Sequence, residues 1–350
     1  MKRKFISIFT LFILVPIFSM NVFAAEESAQ KQLVTIVAQA QPPTHIILDT
    51  DMSTDTDDLI AVRQCQQYAQ EGLISFDALM LSDENTLYQG RTAVEGILDS
   101  YGFPNVMVGT STNPNLETNL PYWGWLSSHK TTGHNCDTAV RQYRKLLSSG
   151  GTYGIIVIGY FDNIWNLIKS QPDDISNETG MQLIAEHVKF FDICGIGRGF
   201  KGEGNQYTGF ENNTCFYSSS YTASSQFYDC IGALNIPIYQ YTSDDKYIVY
   251  KCSVGGKDQL SSGDVVYKAF NGAGKYDGGA GWDAICTWLL LPIISNDFSS
   301  YGIVPEQYSV TSTWDTATRF KSVPDVNGNV TMLNMTWSGN TYRLYIDDSY

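Results

Sequence analysis

The sequence predicts an α/β protein with a doubly wound, mostly parallel sheet and helices on both faces. Short apolar runs alternate with longer helix-like segments over most of the chain after residue 43. The first run, Ile46-Ile47-Leu48, is typical of a strand that is buried on both sides. After an N-terminal leader and tether, roughly 300 residues remain, an ordinary size for a single sheet of this kind.

The predicted elements follow in order, each strand a short apolar run and each helix a longer segment with apolar residues at helical spacing. Strands and helices alternate as strand 45–49, helix 57–71, strand 76–81, helix 87–101, strand 105–109, helix 138–148, strand 154–159, helices 163–170 and 181–187, strand 188–195, helix 219–234, strand 237–242 and helix 281–291. Between them, residues 195–221 are dense in Gly, Asn, Ser and Tyr and are predicted to form a long functional loop. Segments 330–337 and 341–346 are predicted to form a terminal β-hairpin around Ser338-Gly339-Asn340.

The N-terminus has the pattern of a secretory signal peptide over residues 1–24. Three basic residues at 2–4 precede an apolar run over 5–20 and small residues at 22–24. This run is short for a transmembrane anchor, although an uncleaved anchor is the alternative. Residues 25–43, rich in Ala and Gln, are predicted to be a flexible lead-in, and 44–350 a single domain. We therefore expect a secreted or periplasmic protein without a stable membrane anchor.

Charge and cysteine content argue against some classes of partner and of site. The net charge is −14 and no basic stripe is evident, which argues against nucleic acid as a partner. Seven cysteines include no CxxC pair, so a zinc or redox site is not expected. Cys215 and Cys230 are a candidate local disulfide, whereas Cys65 and Cys286 lie in predicted helices and are expected to be buried.

An acidic turn follows the first predicted strand. Residues 49–58 contain five aspartates, at positions 49, 51, 55, 57 and 58. In open α/β sheets the ligand crevice lies at the carboxyl ends of the strands, where this turn falls. Hard oxygen ligands at such density suit Ca²⁺ or Mg²⁺ better than a soft transition metal.

Three interpretations of the acidic turn fit less well. An EF-hand loop starting at Asp51 would need Gly and Glu where the chain has Thr56 and Val62. The DxDxT turn of aspartate-nucleophile phosphatases would need its threonine one place earlier than Thr54. A solvated turn that caps the next helix accounts for one or two of the acids, but not for five.

The turn, Asp-Thr-Asp-Met-Ser-Thr-Asp-Thr-Asp-Asp, resembles the N-terminal motif of inosine–uridine-type nucleoside hydrolases. Further segments resemble that family in the same order. They are residues 76–109, residues 139–147 leading to the turn at 158–163, Glu211-Asn212-Asn213, and Gly281-Trp282-Asp283-Ala284. The resemblance covers about residues 44–295.

The resemblance implies a Ca²⁺-dependent hydrolase that cleaves the N-glycosidic bond of small ribonucleosides, and homo-oligomers are common in the family. It implies that Asp51 is a metal ligand and the general base. Further metal ligands would be Asp58, the Asp162 carbonyl and Asp283. The ribose hydroxyls would be held by Asp57, Glu211, Asn213 and Asp283, while Asp49 would orient the turn.

Two departures from the family pattern bear on the reaction. Asp83 occupies the place of an asparagine that faces the ribose, and Trp282 stands where some members have a histidine that protonates the leaving base. Trp282 either stacks on a purine or belongs to the core, and His134 is the histidine we expect nearest the site. These departures keep two alternatives open: a non-catalytic nucleoside- or sugar-binding protein, and a hydrolase of another N-riboside.

Overall fold

The computed structural model describes residues 43–52, 56–82, 89–112, 122–196, 200–201, 207–208, 227, 230–231, 233–242, 260–272, 281–308, 311–314, 333–336 and 341–346. The predicted signal peptide and nearly all of the lead-in lie outside these residues. None of the helices in the described ranges is long and apolar enough to cross a bilayer.

The described strands and helices that were predicted lie close to their predicted positions, whereas the predicted loop 195–221 and helix 219–234 lie mostly outside the described residues. The strands are β1 (Thr44–Thr50), β2 (Ile74–Leu81), β3 (Met107–Thr110), β4 (Cys136–Thr138), β5 (Tyr153–Val157), β6 (Val188–Ile196), β7 (Phe200–Lys201), β8 (Tyr207–Thr208), β9 (Ile238–Thr242), β10 (Ile303–Tyr308), β11 (Thr311–Trp314), β12 (Leu333–Thr336) and β13 (Thr341–Ile346). The helices are α1 (Asp57–Gln70), α2 (Gln89–Ser100), α3 (Trp123–Ser127), α4 (Ala139–Leu147), α5 (Asp162–Lys169), α6 (Gly180–His187), α7 (Val265–Gly272) and α8 (Trp282–Ser295). Seven described elements were not predicted: β4, β7, β8, β10, β11, α3 and α7. Of these, β4 and α3 carry too few residues for a periodic signal.

The main sheet has nine strands in the order β10-β13-β9-β6-β5-β1-β2-β3-β4. Every neighbouring pair is parallel except β10 with β13. From β1 the chain moves outward through β2, β3 and β4, then returns to the other side of β1 at β5. The strand order therefore reverses between β1 and β5, and the predicted fold class is confirmed. A ligand crevice is expected at this reversal, at the carboxyl ends of the strands.

Apolar side chains of β1 point alternately to the two faces of the sheet. Ile46 and Leu48 join a cluster with residues of α1, α2 and α8, whereas Ile47 joins a second cluster with residues of α4, α5 and α6. Cys65 and Cys286 are buried, as expected for the apolar sides of helices. Helices thus cover both faces, which explains why the strands of the sheet centre are apolar without alternation.

The predicted C-terminal hairpin is wrong in its pairing. Strand β12 pairs antiparallel with β11 in a separate two-stranded sheet. Strand β13 lies in the main sheet, antiparallel to β10 and parallel to β9. This position gives hydrogen-bond partners to both edges of β13, whereas a hairpin would have satisfied only one edge.

Candidate functional site

The ends of β1, β2 and β5 are joined at the point where the strand order reverses. The amide of Ser82 donates to the carbonyl of Thr50 at 2.9 Å, and the amide of Tyr160 donates to the Ser82 hydroxyl at 2.9 Å. Gly159 lies where these chains meet. A Cβ there would be 2.3 Å from Ser82 Oγ and 2.5 Å from the Asp51 nitrogen, so only glycine fits.

The described part of the acidic turn folds back onto the first turn of α1. Asp58 Oδ1 accepts hydrogen bonds from the Thr50 hydroxyl and from the Met52 amide, the latter at 3.2 Å. Met52 has φ 53°, in the left-handed region that non-glycine residues rarely adopt. The strand end, the turn and the helix start therefore form one hydrogen-bonded unit.

Three carboxylates from distant parts of the chain converge beside this unit. Asp57, Asp58 and Asp283 each place an oxygen within 4.8 Å of the other two, and all three residues are buried. The backbone amide of Asp283 donates to Asp57 Oδ2 at 3.0 Å, which joins the N-terminal ends of α1 and α8. The cluster lies beside the acidic turn that follows β1, at the carboxyl end of the strand.

This cluster fits a hard divalent cation. Two carboxylates about 4 Å apart repel by about 4 kcal/mol at an effective dielectric constant of about 20. A helix N-terminus stabilises a nearby carboxylate by only about 0.3–2 kcal/mol, so the two helix dipoles offset part of the repulsion. A buried set of oxygen ligands suits Ca²⁺ or Mg²⁺.

A second group is formed by Glu178, Glu186 and His187, whose ligand atoms also lie within 4.8 Å of one another. This group includes an exposed side chain, and it lies at the start of β6, away from the crevice.

Asp49 lies on the opposite side of β1 from this cluster and connects the strand to α4 and α5. Its carboxylate accepts hydrogen bonds from the Tyr143 hydroxyl at 2.8 Å and from Asn163 Nδ2 at 3.1 Å. The same Asn163 nitrogen donates to the Leu81 carbonyl at 3.0 Å, so the ends of β1 and β2 share one amide donor. Burial raises the pKa of Asp49 to about 8, and the hydrogen bonds from Tyr143 and Asn163 oppose that rise.

The remaining predicted site residues lie at the strand end, in helices or outside the described residues. Asp51 is buried at the end of β1, and Asp162 is buried in the first turn of α5. Neither belongs to the three-carboxylate group. Trp282 is half-buried at the start of α8 and packs against the apolar cluster on that face of the sheet. Asp83, Glu211 and Asn213 lie outside the described residues.

The expectation that His134 lies near the site is wrong. Its Nδ1 is 3.0 Å from the carbonyl oxygen of Val106, and its Nε2 is 3.1 Å from Asp99 Oδ1. Val106 precedes β3, so the imidazole lies at the amino ends of the strands, whereas the acidic turn lies at their carboxyl ends.

Several residues of the site region gave no functional signal in the sequence. Thr50, Ser82 and Asn163 form the hydrogen bonds that set the strand ends, although all three lie inside segments that carry the family resemblance. Two aromatic residues on neighbouring helices also donate hydrogen bonds here. The Tyr143 hydroxyl donates to Asp49, and Trp123 Nε1 donates to the Met52 carbonyl at 3.2 Å. A single aromatic residue in a helix gives no pattern that could have predicted such a contact.

No family model matches the chain, and no curated protein matches it. Solved structures are similar to it. The type III effector protein XopQ, complexed with adenosine diphosphate ribose, has a TM-score of 0.58 at 15% identity, over 89% of this chain and 93% of that chain. An inosine-uridine preferring nucleoside hydrolase from Bacillus anthracis has a TM-score of 0.55 at 12% identity, over 87% of this chain and 95% of that chain. An inosine-guanosine nucleoside hydrolase has the same values. These likenesses establish that the chain has the fold shared by these proteins.

Proposed function

We propose that this protein is a metal-dependent nucleoside hydrolase that cleaves the N-glycosidic bond of ribonucleosides to release free base and ribose. The observation that carries the proposal is the buried group of Asp57, Asp58 and Asp283 beside the acidic turn, near the point where the strand order reverses. Such a group combines the two requirements of this chemistry, a cation-binding set of oxygens and a position in the ligand crevice. Similarity in fold to two nucleoside hydrolases supports the same reaction.

In this proposal the cation is Ca²⁺, and its ligands are Asp51, Asp58, Asp283 and the carbonyl of Asp162. A bound divalent cation would supply an activated water molecule and positions for two ribose hydroxyls. Asp51 would serve as the general base that accepts a proton from the attacking water. Buried carboxylates near the ring favour the positive charge that develops on the ribosyl centre as the bond breaks.

Substrate binding is assigned to five polar side chains and to Trp282. Asp57, Asp83, Glu211, Asn213 and Asp283 hold the sugar hydroxyls in this proposal. Asp49 orients the turn from behind, through its contacts to α4 and α5. Trp282, half-buried at the start of α8, stacks on the base. We further propose that the mature chain is exported, to the outside or to the periplasm, and that it forms homo-oligomers.

The direct test is product release from a panel of nucleosides. The purified protein is incubated with inosine, guanosine, adenosine, uridine and cytidine, and free base and reducing sugar are measured after chelation and after calcium is restored. We expect release that stops with chelator and returns with Ca²⁺. Absence of release from every nucleoside at high protein concentration would contradict the catalytic proposal.

The Asp51→Asn variant tests the role of the general base within the same assay. It keeps an oxygen ligand but removes the base, so turnover should fall by about two or more orders of magnitude while ribose binding is retained. Asp174→Asn is the matched control, because Asp174 is exposed and forms an ion pair with Arg141. Unchanged turnover in Asp51→Asn would remove Asp51 from this role.

Two alternatives are tested by the same preparation. The similarity to XopQ, whose solved structure contains adenosine diphosphate ribose, favours a larger ribosyl compound as the ligand. Adding this compound to the panel, with calorimetry alongside the activity assay, separates the possibilities. Tight binding without release of any product would indicate a binding protein, and release from this compound alone would indicate a hydrolase of another riboside.

A further inference from the structure

Helix α3 is anchored to α2 independently of the acidic turn. The hydroxyls of Thr92 in α2 and Ser127 in α3 are 2.8 Å apart, within hydrogen-bond distance. The backbone of Leu126 approaches Gly96 so closely that a Cβ on Gly96 would lie 1.8 Å from the Leu126 carbonyl oxygen. Helix α3 is therefore a rigid support on which other groups can be fixed.

From this support, Trp123 reaches the turn that follows β1. Its side chain is buried, and its indole Nε1 donates a hydrogen bond to the carbonyl of Met52 at 3.2 Å. The amide of Met52 donates to Asp58 Oδ1 at 3.2 Å. The peptide groups on both sides of Met52 are thus held, one by a carboxylate of the cluster and one by the indole.

The conformation of Met52 explains why the turn requires such support. Its φ of 53° lies in the left-handed region, which is unfavourable for a residue with a side chain. Rotation of Met52 back to an ordinary conformation would swing its amide away from Asp58 and would redirect Asp51. The hydrogen bond to the Met52 carbonyl opposes that rotation, because the rotation would break a buried hydrogen bond.

We propose that Trp123 is a positioning residue that holds the acidic turn in its cation-binding geometry through the Met52 carbonyl. The inference rests on the proposed function as far as calcium is concerned. It assigns to α3, which belongs to none of the predicted motifs, control over how tightly the site binds its cation.

The chain offers a matched control for the test. Trp125 lies on the same helix, and its Nε1 donates to the Val265 carbonyl at 3.3 Å, away from the acidic turn. The full-length mature protein, Trp123→Phe and Trp125→Phe are titrated with Ca²⁺ by calorimetry. We expect calcium affinity to fall about tenfold in Trp123→Phe and to change less than twofold in Trp125→Phe. At saturating calcium, kcat of Trp123→Phe should return to that of the wild type, which a general loss of structure would not allow.

Amide hydrogen exchange of the apo protein separates this inference from the proposed function. The peptide that contains Met52 should exchange faster in Trp123→Phe than in the wild type or in Trp125→Phe. Absence of calcium binding by the wild type would contradict the proposed function, and exchange would still decide the role of Trp123. Equal exchange and equal calcium affinity in the two variants would overturn the inference.

A second replacement keeps the test decisive if Trp123→Phe does not fold. Benzothienylalanine at position 123 has the shape of tryptophan but carries sulfur in place of the indole N–H. It should reproduce the loss of calcium affinity and the faster exchange. Wild-type behaviour of this protein would show that packing of the ring, not its hydrogen bond, is what matters, and would equally overturn the inference.

Discussion

At the scale of single residues, Gly159 determines whether the three strand ends can meet. Gly159 has no Cβ, and this absence lets the neighbouring chains approach its Cα closely. The neighbouring atoms are the Ser82 hydroxyl and the backbone between Thr50 and Asp51. A backbone neighbour cannot rotate away as the end of a flexible side chain can, so any side chain at this position must displace β1 or β2.

The Gly159→Ala variant should therefore lose both stability and calcium binding. We expect the free energy of unfolding to fall by about 1–3 kcal/mol, the usual cost of overpacking. Denaturant unfolding and calorimetry measure the two effects. Gly124→Ala is the control, because a Cβ there would meet no atom within 4 Å and alanine is favoured over glycine inside a helix. Normal stability and calcium affinity in Gly159→Ala would show that the strand ends tolerate the displacement.

At the scale of elements, the positions of α1 and α8 on the sheet set the distance between the carboxylates they carry. Asp192 in β6 is a buried acid that contacts Cys286 of α8. Its Oδ1 accepts a hydrogen bond from the Cys286 thiol at 3.5 Å, and its Oδ2 has no hydrogen-bond partner among the described residues. Burial raises the pKa of Asp192 well above its usual range, and the thiol opposes only part of that rise.

This buried acid makes stability depend on pH in a defined direction. The native state keeps the Asp192 proton, whereas the unfolded chain releases it above about pH 4. Between that pH and the raised native pKa the native state binds more protons, so stability falls as pH rises, by up to about 1.4 kcal/mol per pH unit. Asp192→Val should remove this dependence, and the variant should exceed the wild type in stability by more at pH 8 than at pH 5. Urea unfolding at both pH values measures the difference.

Asp297→Asn is the control for the pH experiment. Hydrogen bonds from Ser300 and Ser299 lower the pKa of Asp297, so the group is ionised in both the native and the unfolded state over this range. Its replacement should change stability by the same amount at pH 5 and at pH 8. A constant difference between Asp192→Val and the wild type would mean that Asp192 is ionised in the native protein.

At the scale of the whole molecule, the sequence predicted the sheet, the acids that follow its strands and, through the family resemblance, a site shared by Asp58 and Asp283, but not the contact that joins α1 to α8. Parallel strands bring their carboxyl ends to one edge, so an acidic turn after β1 could be assigned to the crevice. The contact between Asp57 and the amide of Asp283 joins residues 226 positions apart and carries no local signal. The prediction of a hairpin around Ser338-Gly339-Asn340 was wrong for the same reason, because the strands that pair with β13 lie far away in the sequence.

Because that contact joins distant parts of the chain, cation binding there should raise the free energy of unfolding of the whole fold. A cation held by Asp58 and Asp283 would cross-link α1, which follows the first strand in the sequence, to α8, which follows β9. The unfolded chain cannot present both groups together, so calcium should bind the native state alone. Calcium at about 100 times its Kd should then stabilise the protein by about 2.7 kcal/mol.

Thermal unfolding with chelator and with increasing calcium tests this linkage. For a domain of roughly 300 residues we expect Tm to rise by about 4 °C over the titration. Asp283→Asn should abolish the rise, because it removes a charge from the only ligand that α8 contributes in the proposed set. Asp174→Asn, an exposed change away from the site, should keep it. If calcium raised the Tm of Asp283→Asn as much as that of the wild type, the cation would be binding elsewhere, and the carboxylates of α1 and α8 would owe their proximity to helix packing alone.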